Sequence, residues 1–135
     1  MISELVSFFH EKAILIIDDD YTSALLLSEY LYDLNAIIIT ADSCQKATDI
    51  FLRNPEIALV LMDIRLTDGC GIELTKSMKK DRPDVIIIAQ SALIIDESMR
   101  DLNNTNFDSF LSKPISQTEL VKTIYAEVIN SKSNK

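Results

Sequence analysis

Tryptophan is absent, glycine occurs twice and proline three times in 135 residues, and there is a single histidine beside two cysteines. So little glycine and proline excludes collagen-like repeats and low-complexity linkers, and a 47% hydrophobic content excludes disorder. Cys44 and Cys70 lie far apart and form no Cys-x-x-Cys pair, so neither a disulfide scaffold nor a zinc site is expected, and a reducing cytoplasm is the expected compartment. Positive charge is also scarce. Thirteen Lys and Arg stand against 21 Asp and Glu, for a net charge of -8, so the surface repels phosphate backbones and anionic membranes, and direct binding to either is not expected. No apolar run approaches the roughly 18 residues that span a bilayer. Met1 to Phe9 carries Glu4 and no basic stretch, unlike a signal peptide. The length fits one domain.

What the chain does contain is a series of apolar runs rich in β-branched residues: Ala13 to Ile17, Ala36 to Thr40, Ile57 to Met62, Val85 to Ala89 and Phe107 to Leu111. They are continuous rather than alternating, as in parallel strands covered on both faces. Between them, Ala24, Leu27, Leu31 and Leu34 recur at helical spacing, as do Ala47, Ile50 and Phe51, then Leu74 and Met78. Ser116 to Glu119 reads as a capping box that starts a last helix near Gln117, with Leu120, Val121, Ile124, Tyr125 and Val128 as its apolar stripe. Asp96 to Leu102 has the thinnest stripe and is expected to be a weak, mobile helix. Five strands alternating with five helices predict a doubly wound α/β sheet whose site lies beyond the carboxyl ends of the strands. The chain divides into an extension over 1–12, a domain over 13–130 and a polar tail over 131–135. The extension places Ile2, Leu5, Val6 and Phe9 at helical spacing.

Chemistry collects where the strands end. The first strand runs into Asp18-Asp19-Asp20. One Asp would suffice to cap the following helix, and neighbouring carboxylates repel by about 4 kcal/mol per pair at an effective dielectric near 20. Three in a row call for a cation or for raised pKa values, and a hard oxygen set with few protein donors suits Mg2+. The third strand delivers Asp63, which is either a simple strand-ending turn residue or, beside a bound cation, a nucleophile toward phosphorus. The fourth and fifth runs lead into Ser91 and Lys113. Singly these read as a helix cap and an exposed charge; together they could bind phosphoryl oxygens. His10 reads as a surface side chain rather than a phosphodonor.

With these residues in view, the chain resembles the receiver domain of two-component response regulators, of the single-domain chemotaxis type, from about Lys12 to Asn130. The matching pieces are Ile14-Leu15-Ile16-Ile17-Asp18-Asp19-Asp20, Leu61-Met62-Asp63-Ile64, Gly71-Ile72-Glu73-Leu74, Ile87-Ile88-Ala89-Gln90-Ser91-Ala92 and Phe110-Leu111-Ser112-Lys113-Pro114-Ile115. The resemblance implies a flavodoxin-like five-stranded parallel sheet in the order 2-1-3-4-5, which sets Asp63 beside Asp18 and Asp19. It implies that Asp63 is the phosphoacceptor, supplied by a sensor histidine kinase or a histidine phosphotransfer protein. It implies Mg2+ held by Asp19, Asp63 and the backbone carbonyl of Arg65, with Asp18 acting through water. Ser91 and Lys113 would bind the phosphoryl group, Phe110 would be the aromatic switch residue, and Lys113-Pro114 would be a cis bond. A downstream protein target would read the switched face, and the chain would be a monomer or a phosphorylation-dependent dimer. It would be a signalling domain rather than an enzyme.

Three positions depart from the family pattern: Thr67 in place of Pro, Cys70 in place of Asp and Asn106 in place of Gly, none of them a predicted ligand. Two rival readings use the same residues. Asp18 to Thr22 also fits the nucleophile motif of haloacid-dehalogenase-type phosphatases, with Asp18 attacking and Asp20 as acid and base, although the later acidic pair of that family is missing. A pseudo-receiver without phosphorylation is opposed by the intact set of Asp63, Ser91 and Lys113. The short stretch after Lys113 leaves no room for a DNA-binding output domain, so output is expected to pass through another protein, unless the chain is a piece cut from a larger one.

Overall fold

The computed structural model describes residues 1–64, 71–91 and 106–133. Helix α1 (Ile2–Phe8) precedes β1 (Ala13–Ile17), followed by α2 (Tyr21–Tyr30), a 3-10 turn (Tyr32–Leu34), β2 (Ile37–Ala41), α3 (Cys44–Arg53) and β3 (Ile57–Asp63). Then come α4 (Gly71–Asp81), β4 (Ile86–Ser91), β5 (Ser109–Ser112) and α5 (Gln117–Ser133). The strands are parallel in the order β2-β1-β3-β4-β5, the doubly wound arrangement expected of such runs. The helix expected over Asp96 to Leu102 lies outside the described residues. The extension, by contrast, forms α1.

Burial explains why the central strands are uniformly apolar. Every residue of β1 and β4 is buried, whereas edge strand β2 exposes Ile37 and Thr40. Side-chain alternation sorts the core into two halves. Ile14, Ile16, Leu61 and Ile88 pack against α1, α2 and α5 through Leu5, Phe9, Leu27 and Ile124. Leu15, Ile17, Val60 and Ile87 face α3 and α4 through Ala47, Phe51, Leu74 and Met78. The alternation breaks once. Ala13 pairs with Ile57 but Ile14 pairs with Leu59, so Ala58 is an extra residue in β3 and lies on the same half of the core as Leu59.

Local signals set the element ends. Asp20 caps α2 by accepting from the Thr22 amide at 3.0 Å, and Ser43 caps α3 by accepting from the Lys46 amide at 3.2 Å. Ser116 accepts from the Glu119 amide at 3.1 Å, the bond its capping box predicts. After Leu34, Asn35 adopts a left-handed conformation at φ 59° and turns the chain into β2. Strand β2 runs one residue later than the apolar pattern suggests, because the Asp18 amide extends the ladder by donating to the Ala41 carbonyl. Strand β5 begins at Ser109 rather than Phe107: Asp108 bonds Ile87 through both its own amide and its carboxylate, and that carboxylate pairs with Lys79 at 2.6 Å. Helix α5 continues through Ser133, into the expected tail. Cys44 is disulfide-bonded, a cross-link that the wide spacing of the two cysteines gave no reason to expect. Among the described residues no helix is long and apolar enough to cross a membrane.

Candidate functional site

Strands β1 and β3 are in register so that Ile17 pairs with Met62, which brings Asp18 level with Asp63 at the carboxyl edge of the sheet. Both side chains are buried, whereas Asp19 is exposed. On the next strand, Asp63 pairs with Gln90, so Ser91 stands one step further out, fully buried and paired with Ser112 of β5. The chain then leaves β5 through Lys113, whose amide donates to the Ser91 carbonyl at 2.7 Å, and through a cis Lys113-Pro114 bond. Lys113 thereby reaches across three strands. Its Nζ donates to Asp18 Oδ2 at 3.1 Å and to Asp63 Oδ2 at 3.3 Å.

The charges of this cluster constrain one another. Burial pushes the Asp18 carboxyl above its ordinary range, and the Asp63 carboxylate adds to that, while the Asp20 amide and Lys113 pull against it without prevailing. Burial alone would lower Lys113, but the Asp18 and Asp63 carboxylates outweigh it, so the ammonium holds its proton more firmly than a free lysine. Asp18, Asp19 and Asp63 each bring a carboxylate oxygen within 4.8 Å of the others. An all-oxygen, acidic donor set with one exposed member fits a divalent cation that retains water, as Mg2+ does. The buried, reluctant ionisation of Asp18 is what such an ion would relieve.

Asp20 is occupied elsewhere, its two oxygens accepting from the Thr22 amide and the Ser23 hydroxyl at the start of α2. Phe110 is only half-buried in β5, opposite Ala89, and so is not a closed core side chain. His10 is exposed beside Glu11. Arg65, Thr67 and Cys70 lie outside the described residues. The sequence reading missed Gln90 as a feature in its own right. It is buried, and both polar atoms of its side chain lack a hydrogen-bond partner. The available signal was a carboxamide in a strand that is otherwise apolar up to that point.

Fold and site together define a doubly wound α/β domain with an acidic, cation-competent cleft answered by one lysine. Comparison with known proteins places the chain in a family. The family model of the response regulator receiver domain matches residues 14–125, and the chain belongs to that family. The chain is 26% identical over 102 residues to the sensor protein TorS of Escherichia coli, covering 76% of this chain but 11% of that protein's length. It is 27% identical over 115 residues to the polar-differentiation response regulator DivK of Brucella ovis, covering 84% of this chain and 93% of DivK. A CheY-like receiver domain protein from Methanospirillum hungatei superposes with a TM-score of 0.81 at 25% identity, covering 92% of this chain and 98% of its own.

Proposed function

We propose that this domain accepts a phosphoryl group on Asp63 from a phosphohistidine and relays the change to a protein partner. The observation that carries this reading is the convergence of Asp18, Asp19 and Asp63 with Lys113 bridging the two buried carboxylates. A carboxylate oxygen of Asp63 attacks phosphorus, the bond from phosphorus to the donor imidazole nitrogen breaks, and an acyl phosphate results with the imidazole as leaving group. Lys113 is placed to balance the phosphoryl oxygens, and the Ser91 hydroxyl, one strand position beyond Asp63, to donate to one of them. Mg2+, held by Asp19, Asp63 and the carbonyl of Arg65 with Asp18 acting through water, would supply fixed positive charge at the same oxygens.

The donor is a sensor histidine kinase or a histidine phosphotransfer protein. The match to part of TorS, a sensor protein, supports this. Phosphorylation adds charge and acceptors at Asp63, and the contacts they make with Ser91 and Lys113 bias the half-buried Phe110 and the face around β5 toward a second arrangement.

Incubation with acetyl phosphate or a phosphorylated kinase, followed by peptide mapping, tests the chemistry. Label is expected on Asp63 and none on an Asp63→Asn variant that still folds. Label on Asp18 would support the phosphatase reading instead. Beryllofluoride with Mg2+ is expected to move the amide resonances of Ser91 and Phe110, and shifts confined to the neighbours of Asp63 would remove Phe110 from the scheme.

A further inference from the structure

We propose that Cys44 and Cys70 form a reversible thiol–disulfide switch that sets how tightly the acidic cleft holds Mg2+ and how readily Asp63 is phosphorylated. The second half rests on the phosphoacceptor reading of Asp63. Cys44 is disulfide-bonded and the chain has two cysteines, so the partner sulfur is that of Cys70. Cys70 itself lies outside the described residues, whereas Gly71, next to it in the chain, is described. The compartment expected from the sequence is a reducing one, and there a disulfide is usually transient or redox-sensing rather than a permanent staple.

Both ends of the cross-link adjoin the cleft. Cys44 is the buried first residue of α3. Asp42 and Lys46, two positions to either side of it, line a cavity of about 240 Å³ together with Asp18 and Asp19. Gly71 is the buried first residue of α4 and lies against the backbone of the phosphoacceptor: a Cβ there would stand 3.6 Å from both the Asp63 carbonyl oxygen and the Ile64 Cα. The covalent ring from Cys44 to Cys70 contains β3, Asp63 and Arg65, so the bond ties α3 to α4 across the strand that carries the site. A segment tethered at its end has fewer arrangements to lose when a cation orders it, so the bonded form binds the ion more tightly. Reduction takes two electrons from a dithiol. Because Cys44 is buried, the incoming thiolate attacks the Cys70 sulfur; the S–S bond breaks, and Cys44 leaves as a thiolate favoured by the N-terminal dipole of a helix of 10 residues. The second thiol of the reductant then displaces Cys70, leaving the reductant as a cyclic disulfide and its two protons on the two cysteines.

The test takes the full chain, labelled with nitrogen-15, through a series of reduced-to-oxidised dithiothreitol ratios without denaturant, counting thiols by alkylation and mass spectrometry. Both thiols are expected to appear together while the amide spectrum stays that of a folded chain. Each state is then titrated with Mg2+, following the amides of Ile64 and Gly71. The reduced chain should need at least about fivefold more Mg2+, the low end of coupling between two sites, and by reciprocity saturating Mg2+ should raise the dithiothreitol ratio at half reduction by the same factor. Acetyl phosphate should label Asp63 more slowly in the reduced chain at subsaturating Mg2+, and Cys70→Ser should match the reduced chain and ignore dithiothreitol. Reduction only on unfolding, equal Mg2+ titrations in the two states, or a half-reduction ratio that ignores Mg2+ would each overturn the switch. Redox-dependent Mg2+ binding with no label on Asp63 in either state would instead overturn the phosphoacceptor reading and leave the switch acting on the cation site.

Discussion

Asp18 shows how one residue can be both costly and useful. Its carboxyl binds a proton more tightly in the folded chain than in the unfolded one, because it is buried beside Asp63. The folded state therefore loses stability as pH rises from the ordinary carboxyl range through the raised folded value. Asp18→Asn is expected to melt higher than the parent at neutral pH without Mg2+, with the gap closing as pH falls to the ordinary carboxyl range. Thermal melts across that range check it, and a gap that widens on acidification would contradict the account. Gln90 gives the second residue-scale prediction: Gln90→Leu removes two unmet polar atoms and should stabilise by about 1 kcal/mol, read as a rise of about 3–5 °C in Tm. Asp18, Asp63 and Lys113 were legible in the sequence because each stands where an apolar run meets the polar rim. Gln90 was read only as part of such a strand end, and nothing in the linear pattern shows that its carboxamide turns inward and finds no partner.

At the scale of elements, α1 is the clearest addition. Leu5 and Phe9 are fully buried and join the same half of the core as α2 and α5. Phe9→Ala is expected to cost about 3–5 kcal/mol, as for a core aromatic, and chemical denaturation will measure it; a loss below 1 kcal/mol would make the segment an appendage. Ser43→Ala removes only the cap of α3 and should cost about 1 kcal/mol while leaving phosphorylation of Asp63 unchanged. Helical spacing showed that Ile2, Leu5, Val6 and Phe9 share a face, but not what that face meets, since the answer lies in the 3-10 turn after α2 and in α5 at the other end of the chain. The end of β2 and the start of β5 escaped for a similar reason. They are set by bonds from Asp18 and Asp108 to distant strands, whereas the caps of α2, α3 and α5 are made with residues two or three positions away and were readable in place.

For the whole molecule, the acidic cluster couples stability to its ions. A cation that binds only the folded state adds about 2.7 kcal/mol at a hundredfold excess over its Kd. Millimolar Mg2+ is therefore expected to raise the melting temperature, and Asp19→Ala to remove most of the rise; equal shifts in both proteins would place the ion elsewhere. The parallel order and the two-sided core were legible because central strands must be apolar on both faces. The order itself rested on a resemblance, as no local pattern says which strand neighbours which. The extra residue in β3 bears on tolerance to changes of length. Losing the codon for Ala58 would leave a strictly alternating strand, with Val60, Met62 and Asp63 still opposite their present partners. Losing the codon for Val60 would instead draw Ala58 into the place of Leu59 and turn Leu59 to the other half of the core, with Ile57 and the residues from Leu61 onward still opposite their present partners. Within one strand, a single in-frame deletion is expected to be absorbed without loss at one position and to displace one buried leucine two positions later.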